Sequence, residues 1–293
     1  MGKSTDRIKI VVLVAMYNRI KISELFLMAM NRFINDNKEY DFEIVPIISE
    51  ENYKELCAKY NLEYVFSENN PVSNKWNNGL TFVMKNKSFD YLMIMGDDDI
   101  PDSRLMRYYK PYIDNRCHYF GVKDIYFYNA PTGNCMKFSY NYMHDKLIGC
   151  GRMISREALE HTCAFVGVAP RNKLRIGETV FEIGKEKYIN KYVADYLFDL
   201  EAVVISSDVE YNLFGKNLNS GLDYHSENLL VMSGYFPQAV ISEYPLITDI
   251  KSEQNIWSFS KYVSHSRLVK RFTALSFFSD EEINYLKDNF MTT

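Results

Sequence analysis

The segment FDYLMIMGDDDIPD, from Phe89 to Asp102, decides how the rest of this chain is read. The run from Tyr91 to Met95 has the length and composition of a buried strand, and it ends at Gly96. Three consecutive carboxylates follow, Asp97, Asp98 and Asp99, with Pro101 and Asp102 closing the turn. Adjacent negative charges in a partly desolvated site repel strongly, and a divalent cation among them relieves the repulsion. Hard oxygen ligands suit Mg²⁺ or Mn²⁺, which in turn hold phosphate groups. In an extended segment Asp97 and Asp99 point to one side and Asp98 to the other, so Asp97 and Asp99 are the expected metal pair. The plainer reading of such a triplet is an acidic, solvated turn or helix cap. The strand upstream favours a metal–diphosphate site, because ligands of open α/β sheets bind at strand carboxyl ends.

Composition is that of a soluble α/β enzyme. The chain has 293 residues, 47% of them hydrophobic, enough for one large domain with a sizeable core. No apolar run reaches the length of a membrane span, and the polar start lacks the charged and apolar regions of a signal peptide. Five cysteines, Cys57, Cys117, Cys135, Cys150 and Cys163, form no CxxC pair. This argues against a disulfide framework or zinc site and for a reducing cytoplasm. The net charge of −4 carries no nucleic-acid signature, and the basic runs Lys185 to Lys191 and Lys261 to Arg271 read as solvated helix faces.

The first third alternates strands and helices. Ile8 to Val14, Phe42 to Ile48 and Tyr64 to Phe66 read as strands. Ser23 to Phe33, with Ser23 as N-cap, Tyr53 to Tyr60, and Lys75 to Met84 read as helices, the last despite Gly79. This alternation predicts a mainly parallel sheet covered on both faces. Beyond Pro101 the pattern loosens. Tyr119 to Asn129 is strand material, and the PTGN turn at Pro131 to Asn134 predicts a hairpin. A helix begins at Arg156, Val203 to Ser206 reads as a strand, and Asn212 to Asp223 reads as loop. A strand near Pro245 to Asp249 and helices over Trp257 to Phe277 and Asp280 to Phe290 complete the chain.

In that order the residues resemble a GT-A fold glycosyltransferase of the large family-two group, inverting enzymes that use nucleotide-diphosphate sugars. VVLVAMYNR, Val11 to Arg19, is similar to the family's opening strand and (P)xYNR signature, with Met16 where proline is common. IVPIISEE, Ile44 to Glu51, sits where the family has a strand ending in two acidic residues. NPVSNKWNNGL, Asn70 to Leu80, is similar to its NxGxxxARNxGL segment, and YLMIMGDDDIP matches the DXD region. The usual leucine-aspartate before that cluster is here Met95-Gly96, which leaves open which two of the three aspartates are the functional pair.

The resemblance implies an α/β fold of the GT-A, Rossmann-like kind, a mainly parallel sheet flanked by helices with a mixed C-terminal acceptor region. It implies one domain over residues 1–293, with a nucleotide-sugar-binding half to about residue 115 and an acceptor half with C-terminal helices beyond it. The implied activity is metal-dependent transfer, with inversion, of a sugar from a nucleotide-diphosphate donor, UDP by preference, to a hydroxyl. The acceptor is a saccharide or a hydroxymethylated base in phage DNA, in the cytoplasm of a bacterial or phage-infected cell. Tyr17 and Glu50 are expected to frame the base, Arg19 and Lys75 to lie near the phosphates, and Asp97 and Asp98 to serve the donor. Mn²⁺ or Mg²⁺ would sit on Asp97 and Asp99, with His225 closing its coordination. In IGCGRMISREALE the acceptor-side residues are Gly151 and Arg152, and in NSGLDYHSENLL Asp223 is the general base, helix N-cap being its competing role. ITDIKSEQNIW sets Asp249 and Lys251 beside one another, placed to complete a diphosphate site. Two other classes compete. A nucleotidyltransferase of similar sheet order would open with a glycine-rich phosphate loop, and AMYNRIKIS has no glycine. A non-catalytic carbohydrate-binding relic shares the fold without the chemistry.

Overall fold

A computed structural model of the chain describes residues 7–139, 146–168, 173–176, 179–182, 189–190, 205–215, 217–252, 259 and 266–291. The first part runs β1 (Lys9–Met16), α1 (Ile20–Asp36), β2 (Asp41–Ile48), α2 (Tyr53–Lys59), β3 (Val65–Phe66), α3 (Val72–Asn86) and β4 (Tyr91–Gly96). Then come β5 (Asp99–Pro101), α4 (Leu105–Asp114), β6 (Tyr119–Val122), β7 (Asp124–Asn129), β8 (Cys135–Ser139), β9 (Arg152–Ser155) and α5 (Arg156–Cys163). Strands β10 (Ala164–Val168), β11 (Lys173–Ile176), β12 (Thr179–Glu182), β13 (Ile189–Asn190) and β14 (Ile205–Tyr211) follow. The chain closes with α6 (Leu222–Met232), β15 (Gln238–Val240), β16 (Ile247–Lys251), β17 (Ser266–Val269), α7 (Arg271–Ala274) and α8 (Asp280–Phe290).

The main sheet has the order β15-β6-β9-β4-β1-β2-β3. Strands β3, β2, β1 and β4 are parallel, β9 runs antiparallel to β4, and β6 and β15 are parallel to each other. Near-continuous apolar runs suit such strands because both faces are covered. Ile10, Val12, Val14 and Met16 of β1 face a core built with Leu25, Phe26, Met30 and Phe33 of α1. Val11 and Leu13 face the opposite core, with Leu80, Val83 and Met84 of α3 and Leu159 of α5. Gly79 explains itself here. A Cβ on it would lie 2.3 Å from Cδ1 of Ile47, so only glycine lets α3 settle this close to β2. This α/β sheet with helices on both faces, followed by a mixed region, is the GT-A, Rossmann-like class expected from the sequence.

A second sheet, β17-β8-β7-β16-β5, starts where the first one ends. The single apolar run from Tyr119 to Asn129 divides at Lys123, its first half entering the main sheet as β6 and its second half the small sheet as β7. The predicted hairpin is β7–β8. Strand β16 pairs parallel with β7 and antiparallel with β5, with Asp249 opposite Asp99. Hence residues 150 positions apart in the chain share one edge of the site.

Three local expectations need correction. Ser23 is not an N-cap; α1 starts at Ile20, and the Ser23 hydroxyl points inward to Asp97. Residues 266–269, expected to be helical, form β17 on the edge of the small sheet, while the rest of the 257–277 span is described only at 259 and from 270 on. Asp223 is not a cap either: the N-cap position of α6 is Gly221, in the left-handed region at φ 72°, and Asp223 lies in the first turn. The C-terminal helix is as read, with Ser279 and Glu282 forming a capping box. Much of the basic run at 185–191 and part of that at 261–271 fall outside the described residues. No helix among the described residues is long and apolar enough to cross a membrane.

Candidate active site

Strand β1 lies between β2 and β4, so the chain leaves the sheet in opposite directions on its two sides and opens a crevice at the carboxyl ends. Ala15 pairs with Gly96, which brings the Tyr17–Arg19 turn next to the three aspartates. The turn is held at two points. The Asn18 N–H donates to Glu50 at 2.8 Å, and the Arg19 N–H donates to the Tyr53 hydroxyl at 2.8 Å. Asn18 adopts a left-handed φ of 53°, a conformation asparagine tolerates.

The register of the aspartates differs from the sequence-based expectation. Asp97 is completely buried and points away from the crevice, accepting hydrogen bonds from the Arg19 guanidinium and the Ser23 hydroxyl. Alternation along a strand fails here because the strand stops at Gly96 and Asp97 and Asp98 form a turn. The acids whose oxygens gather within 4.8 Å of one another are Asp98, Asp99 and Asp249. Asp98 also accepts from Arg19 at 2.6 Å, and Lys251 pairs with Asp249 at 2.5 Å. Gly96 makes room for the cluster: its N–H donates to Asp99 at 2.8 Å, and a Cβ would stand 2.6 Å from that carboxylate and 2.7 Å from Asp98. This is the physical reason for glycine at that position.

The electrostatics follow from burial and crowding. Burial, then repulsion from Asp98 and Asp249, drives Asp99 well above the usual carboxylate range. Asp249 is pushed up to about 7 by burial, against the pull of Lys251. At Asp98 burial is outweighed by Arg19 and Lys251, which hold it below the ordinary value. The three acids therefore resist full ionisation together unless further positive charge joins them. Asp249 Oδ1 is buried and has no hydrogen-bond partner among the described residues, an acceptor left open in the middle of a hard-oxygen cluster. Both observations fit a divalent cation held by Asp98, Asp99 and Asp249.

Asp98, Asp99 and Asp249 line a cavity of about 350 Å³ together with Arg19, Lys251, Trp76, Gly149, Cys150, Phe214 and the segment Asn219–Asp223. The loop that leads into α6 and Asp223 is tied down by side chains of α3. Asn77 donates to Gly215 O at 2.6 Å and accepts from Phe214 N–H at 3.0 Å; Ser73 Oγ accepts from Leu218 N–H at 2.8 Å. Asn74 and Asn219 add bonds to Asn217 and to Val72. Asn74 and Asn77 thus zip this loop to α3. On the other side, the Asp223 carboxylate rests directly on Gly149, where a Cβ would come within 2.5 Å of Oδ2.

Several predicted site residues take other posts. Arg152 is 3% exposed and does not open toward an acceptor. It donates to Ile148 O at 2.9 Å, Leu147 O at 3.0 Å and Asp223 O at 3.1 Å, and lies 3.7 Å from Glu227, clamping the glycine loop to α6. Gly151, with φ 72°, packs under Ile247 and accepts from the Tyr109 hydroxyl at 2.6 Å; of the two glycines flanking Cys150, it is Gly149 that lines the cavity. Lys75 is fully buried, donates to Met16 O at 2.7 Å, and is lowered to about 8 by burial, so it supports the end of β1 and does not line the cavity. His225 packs against Gly215, outside the acidic cluster. Tyr17 is half-exposed beside the turn, its ring 5.6 Å from the Lys75 ammonium. Asp249 and Lys251, expected to complete a diphosphate site, lie at the acidic turn, with Asp249 inside the carboxylate cluster. Trp76 went unread because nothing local distinguishes a cavity tryptophan from a packing one.

No family model and no curated protein matches the chain. Among solved structures, it is similar to a mutant Drosophila β-1,4-galactosyltransferase 7 in complex with manganese, UDP-Gal and xylobiose (14% identity, TM-score 0.34). It is also similar to glucosyl-3-phosphoglycerate synthase from Mycobacterium tuberculosis with Mn²⁺, UDP and glucosyl-3-phosphoglycerate (12%, 0.36), and to S. aureus TarS (14%, 0.41). The matches cover 55%, 55% and 84% of this chain and 55%, 60% and 37% of theirs, so it spans little more than half of the first two. These likenesses are loose, and the fold class rests on the chain's own strand order.

Proposed function

We infer that this chain is a metal-dependent glycosyltransferase that moves a sugar from a nucleotide-diphosphate donor, a UDP-sugar by preference, to a hydroxyl acceptor. One observation carries this reading: three carboxylates within 4.8 Å, flanked by Arg19 and Lys251, share a cavity with a separate, exposed carboxylate, Asp223. The first group suits a diphosphate and its cation, the second a proton acceptor.

Asp98, Asp99 and Asp249 would hold Mn²⁺ or Mg²⁺, which when bound supplies Lewis-acid neutralisation of the charge developing on the leaving diphosphate. Arg19 and Lys251 add fixed positive charge at the same place, and their buried or half-buried ammonium and guanidinium groups are already oriented by Asp98 and Asp249. Tyr17 and Glu50 frame the nucleobase in this reading. Asp223 takes the proton from the acceptor hydroxyl, and attack from the face opposite the diphosphate inverts the anomeric centre. Its carboxylate is 65% exposed, in the first turn of a helix whose positive end favours an anion. The residues after β1 lead straight into α1 without a glycine-rich loop, which disfavours nucleotidyl transfer.

Calorimetry of UDP binding in Mn²⁺ and in EDTA tests the reading. Tighter binding in Mn²⁺ is expected, and equal affinity in both would refute a metal–diphosphate site. Turnover of UDP-sugars against a panel of saccharides and hydroxymethylated DNA then separates the acceptor classes.

A further inference from the structure

The cavity has two chemical characters. Part of its wall is ionic. A second part is aromatic and has no role in the chemistry assigned above: Trp76 of α3 and Phe214 of the zipped loop lie with ring centroids 5.3 Å apart at 37°, and both line the cavity, as do Phe127, beside Lys251, and Phe138. Trp76 is only partly buried, although it packs on the inner core, while Phe214 behind it is 3% exposed. The pair is held rigidly, because Asn77, one residue after Trp76, bonds both the N–H of Phe214 and the carbonyl of Gly215. Val72 and Leu222 extend the apolar wall, and the Asp223 carboxylate stands at its edge.

We propose that Trp76, backed by Phe214, is a stacking platform for the face of a pyranose ring, and that it determines specificity for the sugar. A pyranose carries C–H groups on its face and hydroxyls around its rim. The indole face, electron-rich at its centre, matches the weakly positive C–H face and removes apolar area from water. The rim hydroxyls then fall within reach of polar groups such as Asp223. A phosphate would gain from the ionic groups instead, while a nucleobase stacked on the same ring would be read out by UDP alone. A cavity of about 350 Å³ is at the small end of ligand sites, which suits one ring beside a diphosphate. This inference deepens the glycosyltransferase reading, and the ring could belong to the donor or to the acceptor.

The test uses the full chain with Trp257→Phe, leaving Trp76 as the single tryptophan. In the donor arm, emission and affinity are measured with UDP and with UDP-glucose, UDP-galactose and UDP-N-acetylglucosamine in Mn²⁺. In the acceptor arm, methyl glycosides are titrated with and without UDP and Mn²⁺. A sugar-dependent change in Trp76 emission beyond that of UDP is expected in one arm, which names the source of the ring. Trp76→Ala should weaken that sugar about five- to tenfold, the scale of one aromatic contact, and leave UDP affinity within about twofold. Trp76→Phe keeps a stacking face and should recover most of the loss, which guards against a merely misfolded alanine variant. If no sugar moves the emission in either arm, or if Trp76→Ala weakens UDP and UDP-sugar equally, the platform is refuted. Absence of Mn²⁺-dependent UDP binding, with methyl glycosides still read by Trp76, would instead sink the transferase reading and leave the platform standing.

Discussion

Replacing Gly149 by alanine isolates the placement of Asp223 from everything else in the site. The new Cβ would sit 2.5 Å from Asp223 Oδ2 and 2.8 Å from Cγ, against ordinary contacts of 3.4–4 Å. The carboxylate must therefore retreat by about 1 Å, and a misplacement of that size costs roughly 10²-fold in a positioned catalytic step. Stability should hardly change. The Asp223 side chain is 65% exposed, its backbone carbonyl still accepts from Arg152 at 3.1 Å, and Gly149 has no left-handed φ to strain. The expected loss is under about 1 kcal/mol, or less than roughly 4 °C in melting temperature. Donor affinity should stay put, because the shift lies away from Asp98, Asp99 and Asp249. The assay is steady-state turnover, UDP calorimetry and thermal unfolding on Gly149→Ala, Asp223→Asn and the double variant. Asp223→Asn alone should lose about 10²–10⁴-fold in kcat. The two substitutions act on one group, so the double variant should be no worse than Asp223→Asn. A folded Gly149→Ala enzyme that turns over at the wild-type rate would refute the placement, and additive losses would put the glycine's effect on another group.

Further expectations concern the metal, the core and pH. Asp249→Asn should remove Mn²⁺ binding by calorimetry with little change in melting temperature, whereas Asp97→Asn should keep Mn²⁺ binding and lose about 1–3 kcal/mol in chemical denaturation, because it opens a buried network. The reverse pattern would restore Asp97 as a ligand. Gly79→Ala should destabilise by about 1–3 kcal/mol despite the better helix propensity of alanine, since its Cβ would collide with Ile47; Ile47→Val in the same background should recover part of the loss, and a stabilised variant would contradict the packing. Lys75 is lowered from 10.5 to about 8 by burial, so between those values the unfolded chain holds a proton that the native protein has shed, and stability rises with pH. Relative to Lys75→Met, the wild type should gain about 2 kcal/mol in denaturation free energy between pH 7.5 and 9.5, the tyrosines that begin to ionise on unfolding near the top of this window contributing alike to both proteins. A flat difference would place the ammonium in water.

The arrangement also explains why the acidic cluster is tolerated at all. Asp99 and Asp249 oppose each other across a strand pair, a placement that ordinarily destabilises a sheet. Lys251 and Arg19 offset part of the repulsion from the same cavity. What they leave over is the affinity for a further cation. Arg19 has a second duty at Asp97, so one guanidinium both braces the buried turn and borders the diphosphate end.

Elements set by short-range pattern were legible in the sequence. The β-branched run of β1, the apolar run of β4 and the helices between them announce a covered parallel sheet, because a strand buried on both faces has no room for polar alternation. The acidic turn at the end of β4 was legible for the same reason, since its neighbours in sequence are its neighbours in space. What depended on distant pairing was decided only by the fold. Asp249 joins Asp98 and Asp99 through the register of β16 against β5, and no local feature of ITDIK encodes that register. Asp97 turned inward because the chain leaves the strand at Gly96, whose missing Cβ makes space for two carboxylates; alternation presumes a strand that has already ended. Arg152, read as a ligand for an acceptor, became a clamp because it begins β9 in the middle of the main sheet, where backbone carbonyls and α6 surround it. The sequence determined which chemistry is present; the tertiary contacts, each bridging scores of residues, decided which groups face the cavity and which hold it in shape.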